Sequence, residues 1–209
     1  MSQTAPQRAN RDRLFTPDRV IEAYRNGYFP MAESRVGPIS WYSPDPRAVI
    51  PLNGFNVPRS LRREMKRSDC TITVNRAFGR VIGECAEGRF PEETWISDDI
   101  ERVYTELHRM GIAHSVETWE GGNLVGGLYG VSLGGAFFGE SMFSRIPNAS
   151  KFALVSLVAR LNSRAYRLLD TQIMNEHIRQ FGAVEIPRER YLTLLREALP
   201  CGGEFVDRD

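Results

Sequence analysis

The chain has little that would support metal, disulfide or covalent-nucleophile chemistry. Its three cysteines, Cys70, Cys85 and Cys201, stand far apart, with no CxxC pair and no Cys/His cluster. That spacing argues against a disulfide framework and against zinc, so no metal is expected. It fits a reduced, cytoplasmic protein. The three histidines, His108, His114 and His177, are scattered, and His114 reads as structural. No Ser/His/Asp or Cys/His nucleophile arrangement is visible. No apolar run approaches the roughly 20 residues that a membrane helix needs, so no membrane partner is expected. The opening MSQTAPQRANRDRLF has no apolar secretory core. Residues 1–12 read as a disordered tail, because so polar a segment buries too little apolar area to offset its ordering.

What is present is an ordinary globular composition, 42% hydrophobic and 25% charged over 209 residues. That is enough chain for one large domain or two small ones. Thr16-Pro17 opens a helix that ends at Gly27. A Pro/Gly/Ser-rich loop with short extended pieces follows. RAVIPL reads as a strand, VPRSLRREMKRS as a helix, CTITVN as a strand and NRAFGRVIGECA as a helix with an apolar stripe. Ser97 caps a strong helix that stops at Gly111. The pattern then changes. Residues 113–144 read as three successive strands joined by Gly-containing turns. A helix capped at Asn148 or Ser150, the buried strand YRLLDTQI, a short helix ending at Gly182 and a final helix begun at Pro187 complete the chain. A soft boundary near residue 95 divides an N-terminal α+β part (13–94) from a strand–helix–strand body (95–209).

Chemistry-bearing residues concentrate in two places. GESMFSRIPNASK (Gly139–Lys151) carries Glu140 beside apolar elements, and LLDTQ (Leu168–Gln172) ends an apolar run with Asp170 and Gln172. Polar groups at strand ends beside apolar walls suit group transfer: the walls hold a side chain while the polar groups handle protons. Separately, the net charge of +1 hides five cations between Arg59 and Arg67. Arg59, Arg63, Lys66 and Arg67 share one helical face, which is either a plain solvated face or a phosphate-tracking patch for nucleic acid.

The element order of residues 96–199 matches the acyltransferase fold of the GNAT superfamily. Many GNAT members bind coenzyme A through a Gly-rich pyrophosphate turn, and SRIPNASK lacks those glycines. No cofactor is therefore expected. AYRNGYFP, SPDPRAV, TWI, HSVE, LVGGLYGV, GESMFS, NASK, DTQ and EIPR together resemble the leucyl/phenylalanyl-tRNA–protein transferases. They do so from about residue 20 to about residue 192. The resemblance implies an α+β fold, with a small N-terminal α+β domain packed on a GNAT-like C-terminal domain. It implies transfer of Leu or Phe, and Met less well, from aminoacyl-tRNA to the N-terminal amine of proteins that begin with Arg or Lys. That step marks the acceptor for N-degron degradation, and the implied enzyme is a cytoplasmic monomer.

Residue by residue, Asp170 and Gln172 resemble the family's proposed relay, which draws a proton from the attacking amine, and Glu140 resembles the acidic group of its acceptor and catalytic site. Trp95, Tyr104 and Tyr24 resemble residues around the tRNA 3′-terminal adenosine and the active site. Leu128, Met142, Leu154, Leu157 and Leu169 resemble the apolar pocket for the transferred side chain. Arg59, Arg63, Lys66 and Arg67 resemble the cluster that holds the acceptor stem. Two features depart from the family: Met31 stands where many members carry a Trp, also at the adenosine site, and the longer N-terminal segment of many members is missing. The chemistry agrees with the resemblance, because an aminoacyl ester is already activated and its aminolysis needs positioning and proton transfer rather than a protein nucleophile. Two other readings compete: a coenzyme A-dependent N-acetyltransferase on the same fold, and a non-catalytic RNA-binding module that uses the basic helix.

Overall fold

The computed structural model describes residues 15–87 and 94–206, so the expected tail over residues 1–12 lies outside the described residues. Helix α1 (Pro17–Arg25) starts as its sequence dictates, with the Thr16 hydroxyl accepting from the Arg19 N–H and Pro17 in the first turn. The Pro/Gly/Ser-rich loop forms a small antiparallel ribbon, β1 (Phe29–Ala32) with β2 (Ile39–Tyr42). Then come β3 (Arg47–Ile50), α2 (Arg59–Arg67), β4 (Thr71–Val74), α3 (Phe78–Glu87) and α4 (Asp98–Arg109). The antiparallel meander is β5 (Ala113–Glu120), β6 (Asn123–Leu133) and β7 (Ala136–Ser144). It is followed by α5 (Ala149–Ser163), β8 (Leu168–Gln172), α6 (Glu176–Arg179), β9 (Val184–Ile186) and α7 (Arg188–Ala198). The three-residue strand β9 is a correction to the sequence reading. Val-Glu-Ile, short and with a central charge, carries too little alternation to be seen.

Strands β4-β5-β6-β7-β8-β3-β9 make one seven-stranded sheet. Every pairing in it is antiparallel except β7–β8, which α5 joins as a crossover. The fold class is α+β, and the order meander, helix, parallel strand is the GNAT-like one. Both β3 and β4 precede residue 95 and pair with strands that follow it, so the sheet runs across the expected division.

Both faces of the sheet are covered, and the period of two sorts its side chains. Leu128 and Phe137 face α5, with Leu154, Leu157 and Leu161. Their neighbours Tyr129 and Phe138 face the other way, into a core with Val81, Val103, Tyr104 and Tyr191. Burial on both faces explains why β6 reads as a nearly continuous run of apolar residues and glycines, while β5 buries His114, Ser115, Glu117 and Thr118 among its apolar residues.

Two irregularities shape the site. Gly130 pairs with Gly139 and Tyr129 with Ser141, so Glu140 is an extra residue in the ladder, a β-bulge. Only glycine fits opposite it, because a Cβ on Gly130 would lie 2.3 Å from the Phe138 carbonyl oxygen. Beyond the pair Phe138–Asp170, β7 and β8 part, although β7 continues to Ser144 and β8 to Gln172.

Candidate active site

A cavity of about 410 Å³ occupies the place where β7 and β8 part. Its apolar wall contains all five residues expected of the side-chain pocket: Leu128 from β6, Met142 from β7, Leu154 and Leu157 from α5, and Leu169 from β8. Trp95, half-buried just before α4, also lines it. Glu140 and Gln172 form part of its polar wall, and Gln172 Nε2 donates to Glu140 Oε1 at 3.1 Å. Gln172 reaches that place at the end of β8 with φ +56, a left-handed conformation imposed where the strand turns away.

Glu140 owes its position to the bulge, which takes its carboxylate out of the alternation of β7. The Tyr104 hydroxyl donates to Glu140 Oε2 at 3.3 Å, and the hydroxyls of Tyr24 and Tyr104 are themselves hydrogen-bonded. Both tyrosines are fully buried. They stand behind Glu140 rather than in the cavity lining and support its carboxylate. Burial pushes the Glu140 carboxyl up to about 8. The hydrogen bonds from Tyr24 and Tyr104 pull it down, while the neighbouring Asp170 charge adds to the rise. Burial and the Glu140 charge together raise both tyrosines well above their ordinary value, so they stay protonated donors.

Asp170 is completely buried and is absent from the cavity lining. Arg47 grips it in a fork, Nε to Oδ1 at 2.9 Å and Nη2 to Oδ2 at 2.6 Å. The Tyr191 hydroxyl donates to Oδ2 at 2.8 Å, and the backbone N–H of Gln172 donates to Oδ1 at 2.9 Å. A carboxylate offers about four lone-pair positions, and four donors fill them here. Burial is the largest single influence on Arg47 and lowers its pKa, but the charge and hydrogen bonds of Asp170, with smaller contributions from Tyr191 and Tyr24, together make the net shift upward. Arg47 also donates to the Gly27 carbonyl at 3.1 Å and stacks on Phe29 and Tyr191, which binds the chain's first elements to the floor of the site. Asp170 thus reaches the cavity through Gln172.

Helix α2 buries Leu61 and turns Arg59, Arg63, Lys66 and Arg67 to solvent. None of these four has an ion-pair partner among the described residues. The one acid of the helix, Glu64, is held by Asn148 Nδ2 at 3.0 Å. Asn148 (φ +64) caps the helix that supplies Leu154 and Leu157, so the basic face and the cavity wall are tied together. Met31, half-buried on β1, packs on the core that holds Tyr104 and Tyr129 and does not line the cavity. His114 is buried on β5 and stacks on Phe205 at 4.4 Å, and burial lowers it to about 4.

The sequence reading passed over Arg47, Tyr191, Thr171, Asn175 and His177. Arg47 had a signal, a cation at the head of an apolar strand, where an unpaired charge would be expensive. Tyr191 had none, since a tyrosine in a helix reads as ordinary core. Thr171, Asn175 and His177 line the cavity simply because they flank Gln172 in the turn into α6.

The sequence pattern described as leucyl/phenylalanyl-tRNA protein transferase matches residues 49–196, and that of the family's N-terminal domain matches residues 13–45. A leucyl/phenylalanyl-tRNA–protein transferase of Salinibacter ruber is 52% identical over 190 residues, covering 91% of this chain and 83% of the relative. One of Chlorobaculum tepidum is 51% identical over 188 residues, covering 90% and 97%. Among solved structures, a ribosomal-protein-alanine N-acetyltransferase from Brucella melitensis biovar Abortus 2308 aligns with 52% of this chain and 83% of its own. Its TM-score is 0.38 at 14% identity. Two sequence patterns that between them span most of the chain, and relatives at half identity over nine-tenths of it, establish that the chain belongs to the leucyl/phenylalanyl-tRNA protein transferase family of aminoacyltransferases.

Proposed function

We propose that this enzyme moves leucine or phenylalanine, and methionine less well, from aminoacyl-tRNA to the N-terminal α-amine of proteins beginning with Arg or Lys. The tagged acceptor is thereby marked for N-degron degradation in the cytoplasm, and the enzyme acts as a monomer. The observation that carries the reading is the apolar cavity with Glu140 and Gln172 on its polar wall. The five apolar residues take the esterified side chain. The cations of α2 track the phosphates of the acceptor stem and give binding that is salt-dependent and tolerant of sequence.

Aminolysis requires the acceptor's ammonium to lose a proton before it attacks the ester carbonyl. A carboxylate that titrates near 8 is matched to such an amine, so Glu140 is the proton acceptor in this scheme. Gln172 holds Glu140 in place, and Asp170 fixes Gln172 through its backbone N–H. As the new amide forms, the amine's second proton passes to the departing ester oxygen, so the tRNA leaves with a free 3′-hydroxyl. An assay with labelled Leu-, Phe- and Met-tRNA against peptides beginning with Arg, Lys, Asp, Glu or Met tests the proposal. Transfer to the Arg and Lys peptides alone, from Leu- and Phe-tRNA and more weakly from Met-tRNA, is the expected result, and equal transfer to all five peptides would contradict it.

A further inference from the structure

Beyond Phe138, β7 loses its partner on one side. From Gly139 to Ser144 it pairs with β6 along Gly126–Gly130, while its other edge has no strand partner among the described residues. At about 3.3 Å per residue, these six residues offer roughly 20 Å of unpaired backbone. Such an edge is a template for an added strand.

Two hollows lie in succession along this edge. Gly139 to Met142 line the cavity described above, and Met142 to Arg145 line a second hollow of about 520 Å³. Met142 and His177 belong to both, so the hollows are contiguous. The second one has an acidic wall, Glu84 and Glu87, and Glu84 already holds the guanidinium of Arg145 at 2.5 Å.

We propose that the first residues of the acceptor polypeptide bind as a β-strand added to the free edge of β7, running parallel to it from Glu140 toward Ser144. The inference rests on the acceptor reading given above. It places the α-amine beside Glu140 and leads the chain away past the acidic wall, which suits a basic residue near the terminus. Recognition through main-chain groups offers the same N–H and C=O whatever the sequence. An enzyme that selects acceptors by their first residue needs that tolerance for the residues that follow. In an added strand, alternate residues turn their main-chain groups toward β7, so sensitivity along the peptide has a period of two.

The test uses the full-length enzyme, Leu-tRNA and six-residue peptides beginning with Arg, N-methylated singly at residues 2 to 6. Methylation at alternate positions is expected to lower kcat/KM by tenfold or more, with the intervening positions within about twofold of the parent peptide. Replacing the sensitive amides by esters, which removes the N–H without bulk, is expected to give the same parity. A flat profile, or losses that ignore parity, would overturn the added strand while the acceptor reading stands. Failure of the unmethylated Arg peptide to react would overturn the acceptor reading and this inference with it.

Discussion

In the proposed scheme Glu140 accepts the amine's proton, and its position was legible only as a carboxylate in a suggestive segment. No sequence rule reveals that it sits in a bulge or that two buried tyrosines hold it. Its raised pKa has a consequence for stability. In the folded protein the carboxyl holds its proton up to about 8, whereas in the unfolded chain it ionises near its ordinary 4.5. Between those values the unfolded state binds fewer protons, so this group lowers stability as pH rises from 4.5 to 8. Glu140→Gln is therefore expected to unfold at a higher temperature than the parent at pH 8, with the difference disappearing near pH 4.5. The same substitution is expected to reduce transfer by roughly 100-fold or more, through loss of proton acceptance. Thermal unfolding and single-turnover kinetics on one preparation measure both.

Asp170 and Arg47 make a different prediction at this scale. Each is fully buried and each neutralises the other. Asp170→Asn leaves a buried guanidinium without its counter-ion and is expected to cost about 3–5 kcal/mol. Arg47→Met leaves the carboxylate exposed to the same penalty. The double variant removes both charges, so its destabilisation is expected to fall short of the sum of the singles by more than about 1 kcal/mol. Urea unfolding of the four proteins measures the coupling, and additive losses would show that the pair is not acting as one unit.

Among the elements, helices and meander were readable because their signals are local. Thr16, Pro17, Ser97 and the stopping glycines do in the structure what such residues do in any helix. What escaped was set by distant partners: the three-residue edge strand β9, the bulge in β7 and the parting of β7 from β8. Helix α2 carries the prediction that belongs here. Its cations face solvent and its sole acid is occupied by Asn148. Reversing Arg63 and Arg67 to Glu is expected to leave folding unchanged, weaken tRNA binding and reduce its salt dependence. An unaltered slope of log Kd against log salt would remove this helix from the tRNA interface.

For the whole molecule, the pocket residues were legible through resemblance, while their convergence depends on the sheet. Leu128, Met142, Leu154, Leu157 and Leu169 come from four elements and meet only because α5 crosses over to make β8 parallel to β7. The stretch before residue 95 contributes two strands of that sheet and Arg47, which holds Asp170.

The most direct measurement is the ratio of kcat/KM for Leu-tRNA and Phe-tRNA in Leu157→Phe. Pocket discrimination is worth about 1–3 kcal/mol per methylene, so filling this cavity is expected to shift the ratio toward leucine by roughly tenfold or more. An unchanged ratio in a protein that still folds and still transfers would mean that the transferred side chain is seated elsewhere.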